Sequence, residues 1–190
     1  MRGASRQPTT ADLVVLALLT ERPMHGYGCW QELVRREVED WAGISRAQVY
    51  YSFKKLLAQG WAEPAVDEAR SAGPDRQVLR ITRAGRAAVR RALAAPEWSM
   101  QRERPAFLTW LALSHLATRQ SLGEAVERRR TFLRAEIAKE EETLKAIQGD
   151  AGPMVGAATL MVELTLRKFQ IELDWLSDVE ARLVLATDTD

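Results

Sequence analysis

Apolar positions recur with two different periods along this chain, and the change of period organises it. Leu13, Leu16, Ala17 and Leu19 repeat at helical spacing and mark a first helix. Thr9 or Thr10 caps it, Asp12 lies in its first turn, and Arg22–Pro23 breaks it after Glu21. A second helix runs from His25–Gly26–Tyr27 to about Glu37. Gly26 and Gly28 weaken it, which points to backbone crowding at that end. Asp40–Ser45 reads as a turn. Ser45 then opens a third helix as N-cap, and Gly60 closes it as a residue free to turn left-handed. Val49, Phe53, Leu56 and Leu57 share its apolar side. Beyond Gly60 the period shortens to two. Trp61–Asp67 reads as a strand, confined to an edge by Pro64, and Ala69–Asp75 holds a Ser-Ala-Gly-Pro turn. Arg76–Ile81 is the return strand, and Thr82 caps a fourth helix that reaches Leu93.

That order, three helices, a hairpin and a helix, is the order of a winged helix-turn-helix. Pro96 marks a boundary after it. The rest reads as helix only. Pro105–Ala117 carries Phe107, Trp110, Leu111 and Leu116. Ser121-x-x-Glu124 is a capping-box pattern opening a long helix to Gln148, with Leu122, Val126, Leu133, Ile137, Leu144 and Ile147 on one seam. The segment 149–153, Gly-Asp-Ala-Gly-Pro, is a turn. A last helix over Met154–Leu185 repeats the habit with Met161, Leu164, Ile171, Trp175, Val179 and Leu183. Two long helices joined by a short turn should pack antiparallel. One pair leaves apolar surface uncovered, and a second copy of the chain is the simplest cover. The expected fold is therefore mainly α with a small β-hairpin wing. It comprises an N-terminal winged helix-turn-helix over residues 1–95 and a C-terminal antiparallel long-helix dimerisation domain over residues 96–190.

Composition narrows the function classes. The net charge of +1 says little, but residues 1–95 hold 15 Lys/Arg against 10 Asp/Glu and the remainder hold 12 against 16. The anion-facing task is expected in the first half. A single cysteine, Cys29, excludes an intramolecular disulfide and fits a reducing cytoplasm. No apolar run reaches the roughly 18 residues of a membrane span, and no apolar stretch follows MRGASRQP as in a signal peptide. The chain shows no glycine-rich phosphate loop, no nucleophile with a placed histidine and no paired carboxylates, so an enzyme is not expected and no cofactor is implied. His25 and Cys29 are four apart but lack further ligands at metal-binding spacing; a structural or phosphate-adjacent histidine and a buried small apolar side chain are the expected roles. Arg128-Arg129-Arg130 follows Glu124 and Glu127 by one turn, as on a solvated, self-neutralised helix face.

The third helix carries the candidate chemistry. Its polar side holds Ala47, Gln48, Tyr51, Lys54, Lys55 and Ala58, and no acidic residue. Such a side suits an anionic partner, and double-stranded DNA is the expected one. Arg46 and Gln48, in the first turn, are placed to read guanine and adenine edges in a major groove. Tyr50, Tyr51, Lys54 and Lys55 are expected on phosphates, with Tyr51 also able to pack on a thymine methyl, and Ser45 at the helix start is counted among the DNA-binding residues. Arg70 and Arg76 flank the wing turn and are expected on the adjacent backbone or minor groove, as are Arg2 and Arg6 from the leading arm. A winged helix that binds another protein instead of DNA is the alternative.

Several short patterns together resemble the PadR family of bacterial transcriptional regulators, over most of the chain. They are Pro23-Met24-His25-Gly26-Tyr27, Ser45-x-x-x-Val49-Tyr50 with Leu56 and Gly60, Gly73-Pro74-x-Arg76, Ile81-Thr82-x-x-Gly85, and Glu172-Leu173-x-Trp175-Leu176. The sequence departs from the family at Tyr51, where proline is usual, at Ala47, where glycine or another small residue is frequent, and at Val78–Leu79, where tyrosines are usual. The resemblance implies a homodimeric repressor on a palindromic operator, its two heads set roughly 34–36 Å apart, one DNA turn. It also implies a response to a small aromatic or cationic effector, or autoregulation. Trp98, Phe107, Trp110, Phe132 and Trp175 are the candidate effector-pocket residues, and Leu164, Ile171, Trp175, Leu176 and Val179 the candidate dimerisation residues. Aromatics at helical spacing are also ordinary core.

Overall fold

The computed structural model describes residues 7–65, 77–100, 103, 105–149 and 154–185. The chain forms two compact units, Met1–Arg102 and Glu103–Asp190, so the division falls after Arg102 rather than at Pro96.

In the first unit, α1 (Thr10–Glu21) starts on a reciprocal cap. The Thr9 hydroxyl accepts the Asp12 N–H, and the Asp12 carboxylate accepts the Thr9 N–H at 2.8 Å. The helix is apolar on more than one side, and Val15, Leu16, Leu18 and Leu19 are all buried. α2 (Gly26–Arg35) is capped by His25, whose Nδ1 accepts the Gly28 N–H at 2.9 Å. The expected turn at Asp40–Ser45 instead begins inside a five-residue helix, α3 (Val38–Ala42), set between Glu37 and Gly43, both left-handed at φ 50° and 60°. Val38 is its buried anchor. α4 (Arg46–Ala58) follows, and Gly60 at φ 65° turns the chain into the hairpin.

The strands are shorter than the alternation suggests. β1 (Ala62–Pro64) pairs antiparallel with β2 (Leu79–Ile81), with Ala62 opposite Ile81 and Glu63 opposite Arg80. Met24, between α1 and α2, adds one rung on the far side: its N–H donates to the Leu79 carbonyl at 3.0 Å and its carbonyl accepts the Leu79 N–H at 2.8 Å. Pro64 is accommodated because the hairpin is outermost there. Thr82 caps α5 (Arg83–Leu93) and donates its hydroxyl to the Gly60 carbonyl at 2.7 Å, which ties the start of α5 to the end of α4. A short α6 (Glu97–Met100) ends the described part of this unit.

The second unit begins with α7 (Ala106–Leu113) and a 3-10 turn over Ser114–Leu116. α8 (Arg119–Gln148) is capped by Thr118, which accepts the Ser121 N–H; the box expected at Ser121 is one turn too late, because Thr118 offers its hydroxyl first. α9 (Val155–Val179) continues into a π-helical turn, Glu180–Leu185. The two long helices run antiparallel around a narrow seam of Val126, Leu133, Leu176 and Val179, with Phe107, Phe169 and Trp175 packed against it. The predicted turn at 150–153 lies outside the described residues. No described helix is long and apolar enough to cross a membrane.

Candidate nucleic-acid interface

α4 is fixed from beneath and open above. Val49 and Leu56 are fully buried, and Ser52 and Phe53 nearly so. Beside them Lys55 reaches down to the carboxylate of Asp12 on α1, which is fully buried. Burial pushes the Asp12 carboxyl up. The Lys55 ammonium, the Thr9 N–H and the Ser52 and Thr9 hydroxyls outweigh it and hold the group below the ordinary aspartate range. Lys55 is thus a strut between α1 and α4. Its expected place on a phosphate is corrected: its charge is already neutralised in the core's edge.

A second fixture is Tyr50. Its half-buried ring lies over Gly26, where an added Cβ would stand 3.1 Å from the ring. The crowding expected from the glycines of α2 is therefore the price of letting α4 approach. The Arg46 guanidinium covers the same ring at 5.6 Å from its centre. α2 itself is tied to α1 through Arg36, which bridges Glu21 and Glu32 at 2.7 Å each. Arg35 and Arg36 hold the Glu32 carboxyl down at about 2. Cys29 sits in this core, and burial together with the Glu32 charge pushes its thiol up to about 12, so it is an inert apolar side chain.

The outward side of α4 presents Arg46, Ala47, Gln48, Tyr51, Lys54 and Ala58, all exposed, with Tyr51 at 67%. Five of these stand where the periodicity puts them, whereas Lys55, expected on the same side, turns inward, and periodicity does not reveal the reciprocal cap of Ser45 and Gln48. The Gln48 side-chain carbonyl accepts the Ser45 N–H at 2.8 Å, and the Ser45 hydroxyl accepts the Gln48 N–H at 3.4 Å. The Ser-x-x-Gln pattern was there to be read. With its carbonyl so engaged, Gln48 can pair both its amide atoms with adenine only after leaving the cap. Arg70 and Arg76, and Arg2 and Arg6, lie outside the described residues. In the hairpin, Arg80 is matched across the strands by Glu63 at 2.9 Å.

The aromatic candidates separate. Trp98 belongs to the first unit, where it donates to the Ala92 carbonyl at 2.7 Å and lines a shallow groove of about 600 Å³ with Trp61, Leu13 and Ala88. Phe107, Trp110, Phe132 and Trp175 belong to the second. Phe107 stacks on Trp110 at 5.1 Å, and Phe107 and Phe132 both cover the Arg129 guanidinium, which makes a bidentate pair with Glu172 at 2.8 Å. Arg129 and Arg130 are therefore ties between α8 and the α9 end of the chain, not a solvated run, although Arg130 also pairs with Glu127 on its own helix, as Arg128 does with Glu124. Of the dimerisation candidates, Leu164 and Ile171 are exposed at 54% and 70% and Trp175 is half-buried. Leu176 and Val179 are corrected: they fill the protomer's own seam and are closed to a partner.

Comparison with known proteins adds the following. Residues 15–91 match the model of the transcriptional regulator PadR-like family. No curated protein matches the sequence at a significant level. Among solved structures, Bacillus subtilis PadR in complex with operator DNA superposes with a TM-score of 0.75 at 15% identity, over 91% of this chain and 98% of that one. Bacillus subtilis PadR in complex with p-coumaric acid gives a TM-score of 0.71 at 14% identity, with coverage of 91% and 98%. The PadR-like transcriptional regulator BC1756 from Bacillus cereus gives 0.63 at 15% identity, with coverage of 93% and 97%. At such identities the likeness is one of fold.

Proposed function

We propose that this chain is a PadR-like transcriptional regulator, a reading supported by the match of residues 15–91 to that family's model, and that it is a homodimeric repressor that binds a palindromic operator and is released by a small aromatic or cationic effector. The observation that carries the DNA-binding part is the outward side of α4. It holds two cations, a phenol and an amide without one carboxylate, on a helix braced from behind by Asp12–Lys55 and by Tyr50 on Gly26. Arg46 is the base reader, pairing bidentate with guanine. Tyr51 and Lys54 meet the backbone, and Ser45 and Tyr50 border it. Gln48 reads adenine if its cap opens on binding. Arg70 and Arg76 extend the contact from the wing.

The dimer is supported by the open apolar side of α9, where Leu160, Met161, Leu164 and Ile171 are exposed. The effector is supported by likeness in fold to a regulator crystallised with p-coumaric acid, and by the tryptophan-lined groove of the first unit. The test is a binding titration on duplex DNA from upstream of the chain's own gene, across a range of salt. Affinity should fall steeply with salt. Tyr51→Ala with Lys54→Glu should weaken it more than tenfold while leaving the melting temperature unchanged. Unchanged affinity in that variant would overturn the assignment of α4. For the effector, p-coumarate and a panel of aromatic cations should quench tryptophan fluorescence and release the operator; a panel without effect on either would leave autoregulation as the mode of control.

A further inference from the structure

The recognition helix is not the most basic element of the first unit; α5 is. Its eleven residues, Arg83–Leu93, include Arg83, Arg86, Arg90 and Arg91 and no acidic residue. Gly85 and Ala88 face the core and are buried, whereas Arg83, Arg86 and Arg90 are exposed. At 3.6 residues per turn these three fall within about 60° of one another, on the side away from the core. Among the described residues none of the three has an ion pair. Arg80, one element earlier, is held by Glu63, and Arg128, Arg129 and Arg130 of α8 are held by Glu124, Glu127, Glu172 and Glu180. The row on α5 is left without a carboxylate partner among the described residues. Like charges at i, i+3 and i+7 on one side of a helix repel one another, which costs stability unless an anion is met.

The row also starts in a defined place. Thr82 donates to the Gly60 carbonyl at 2.7 Å, and Gly85 packs so closely on Trp61 that an added Cβ would lie 2.1 Å from its carbonyl oxygen. Arg83 is thereby anchored next to the C-terminal end of α4, and the row runs from there along α5. It has the same sign of charge as the outward side of α4.

We propose that Arg83, Arg86 and Arg90 form a second duplex-DNA phosphate track on each head, outside the major-groove contact of α4. It carries no base readout. About 10 Å of helix separates Arg83 from Arg90, a length matched to two or three backbone phosphates. Each head then grips the duplex on two faces: α4 reads, and α5 holds the flanking backbone, so that operator-length DNA is bound less well than the same operator with flanks. The proposal rests on the chain's being a DNA-binding regulator, and the experiment separates the two.

The test uses the full chain and three variants. One is Arg83→Gln/Arg86→Gln/Arg90→Gln. The second replaces the same three by Lys. The third, Arg128→Gln/Arg134→Gln/Arg167→Gln, removes equal charge from the second unit. Binding to a random-sequence duplex is measured against salt, with circular dichroism and sedimentation as checks on fold and assembly. Each lost phosphate contact lowers the log–log salt slope by about 0.9. The Gln triple should lower it by about 2 to 3 per head and the Lys triple should restore it. The second-unit control should leave it unchanged. A slope in the α5 Gln triple equal to wild type overturns the proposal, as does an equal drop in the second-unit control. A change of sedimentation without a change of slope also overturns it and makes the row a protein contact. If wild type binds no duplex at all, the DNA-binding reading itself fails.

Discussion

The two units of this chain close their apolar surface to different degrees. In the first, α1 is covered by α4, α5 and β2, and Val15, Leu16, Val49 and Leu56 see no solvent. Charges that enter that core arrive paired, as Asp12 does with Lys55. In the second, α8 and α9 bury one narrow seam between them and leave Leu160, Leu164 and Ile171 more than half exposed. Two long amphipathic helices cannot do otherwise, since each has an apolar stripe wider than one neighbour covers. The first unit is a finished domain that carries a polar task on its surface. The second leaves part of its apolar surface open. Its stability should depend on protomer concentration, while that of the first should not.

The strongest way to break this contrast is to charge the open side of α9. Leu164→Asp with Ile171→Asp removes apolar side chains worth about 1.5–3 kcal/mol each on full burial, and since both are already partly covered within the protomer a dimer loses on the order of 4–8 kcal/mol. Sedimentation should show monomer at micromolar concentration, and affinity for a palindrome should collapse toward that for a half-site. A dimer that survives both changes would mean that α9 is not the contact. Next in size is Lys55→Ala. It strands the buried Asp12 carboxylate and should cost about 3–5 kcal/mol in urea unfolding. The matching deletion in the second unit, Arg128→Ala, removes a pair exposed on both sides and should cost no more than about 0.5 kcal/mol. Equal costs would show that Asp12–Lys55 is not a core pair. Third is Gly85→Ala, whose methyl would meet the Trp61 carbonyl and force the hairpin from α5. A loss of about 1–3 kcal/mol is expected.

The same contrast explains what could be read from the sequence. Helix ends were legible wherever they were written locally: Thr9, Ser45 and Thr82 cap as their side chains require, and Gly60 turns left-handed. The outward side of α4 was legible too, because periodicity alone separates it from Val49, Phe53 and Leu56. What escaped depended on distant partners. Nothing near Lys55 reveals that Asp12, on another helix, will claim it. Nothing near Leu176 and Val179 tells a seam within one protomer from a seam between two, since both demand the same residues at the same spacing. Arg129 and Arg130 were mistaken for a solvated run because Glu127 one turn away accounts for their charge. The structure spends two further carboxylates, Glu172 and Glu180, on tying the helices together. The Met24 rung escaped for want of length, one residue being no strand pattern.

The smallest expected effect concerns acid. In the first unit Glu32 is held at about 2 against an ordinary value of 4.5, chiefly by Arg35 and then by Arg36, and its side chain is only 12% exposed. A carboxylate whose folded value is depressed adds stability above its unfolded value and loses it as pH falls through the folded one. Glu32→Gln should therefore cost about 1 kcal/mol at neutral pH, as expected for a near-surface ion-pair network. Its difference from wild type should stay constant down to about pH 4.5, shrink as the pH falls further, and be largely gone near pH 2. Because the network joins α1 to α2 within one protomer, the cost should be the same at low and high protein concentration. A cost that grows on dilution would place Glu32 in the assembly rather than in the finished domain, and the division between the two units would have to be redrawn.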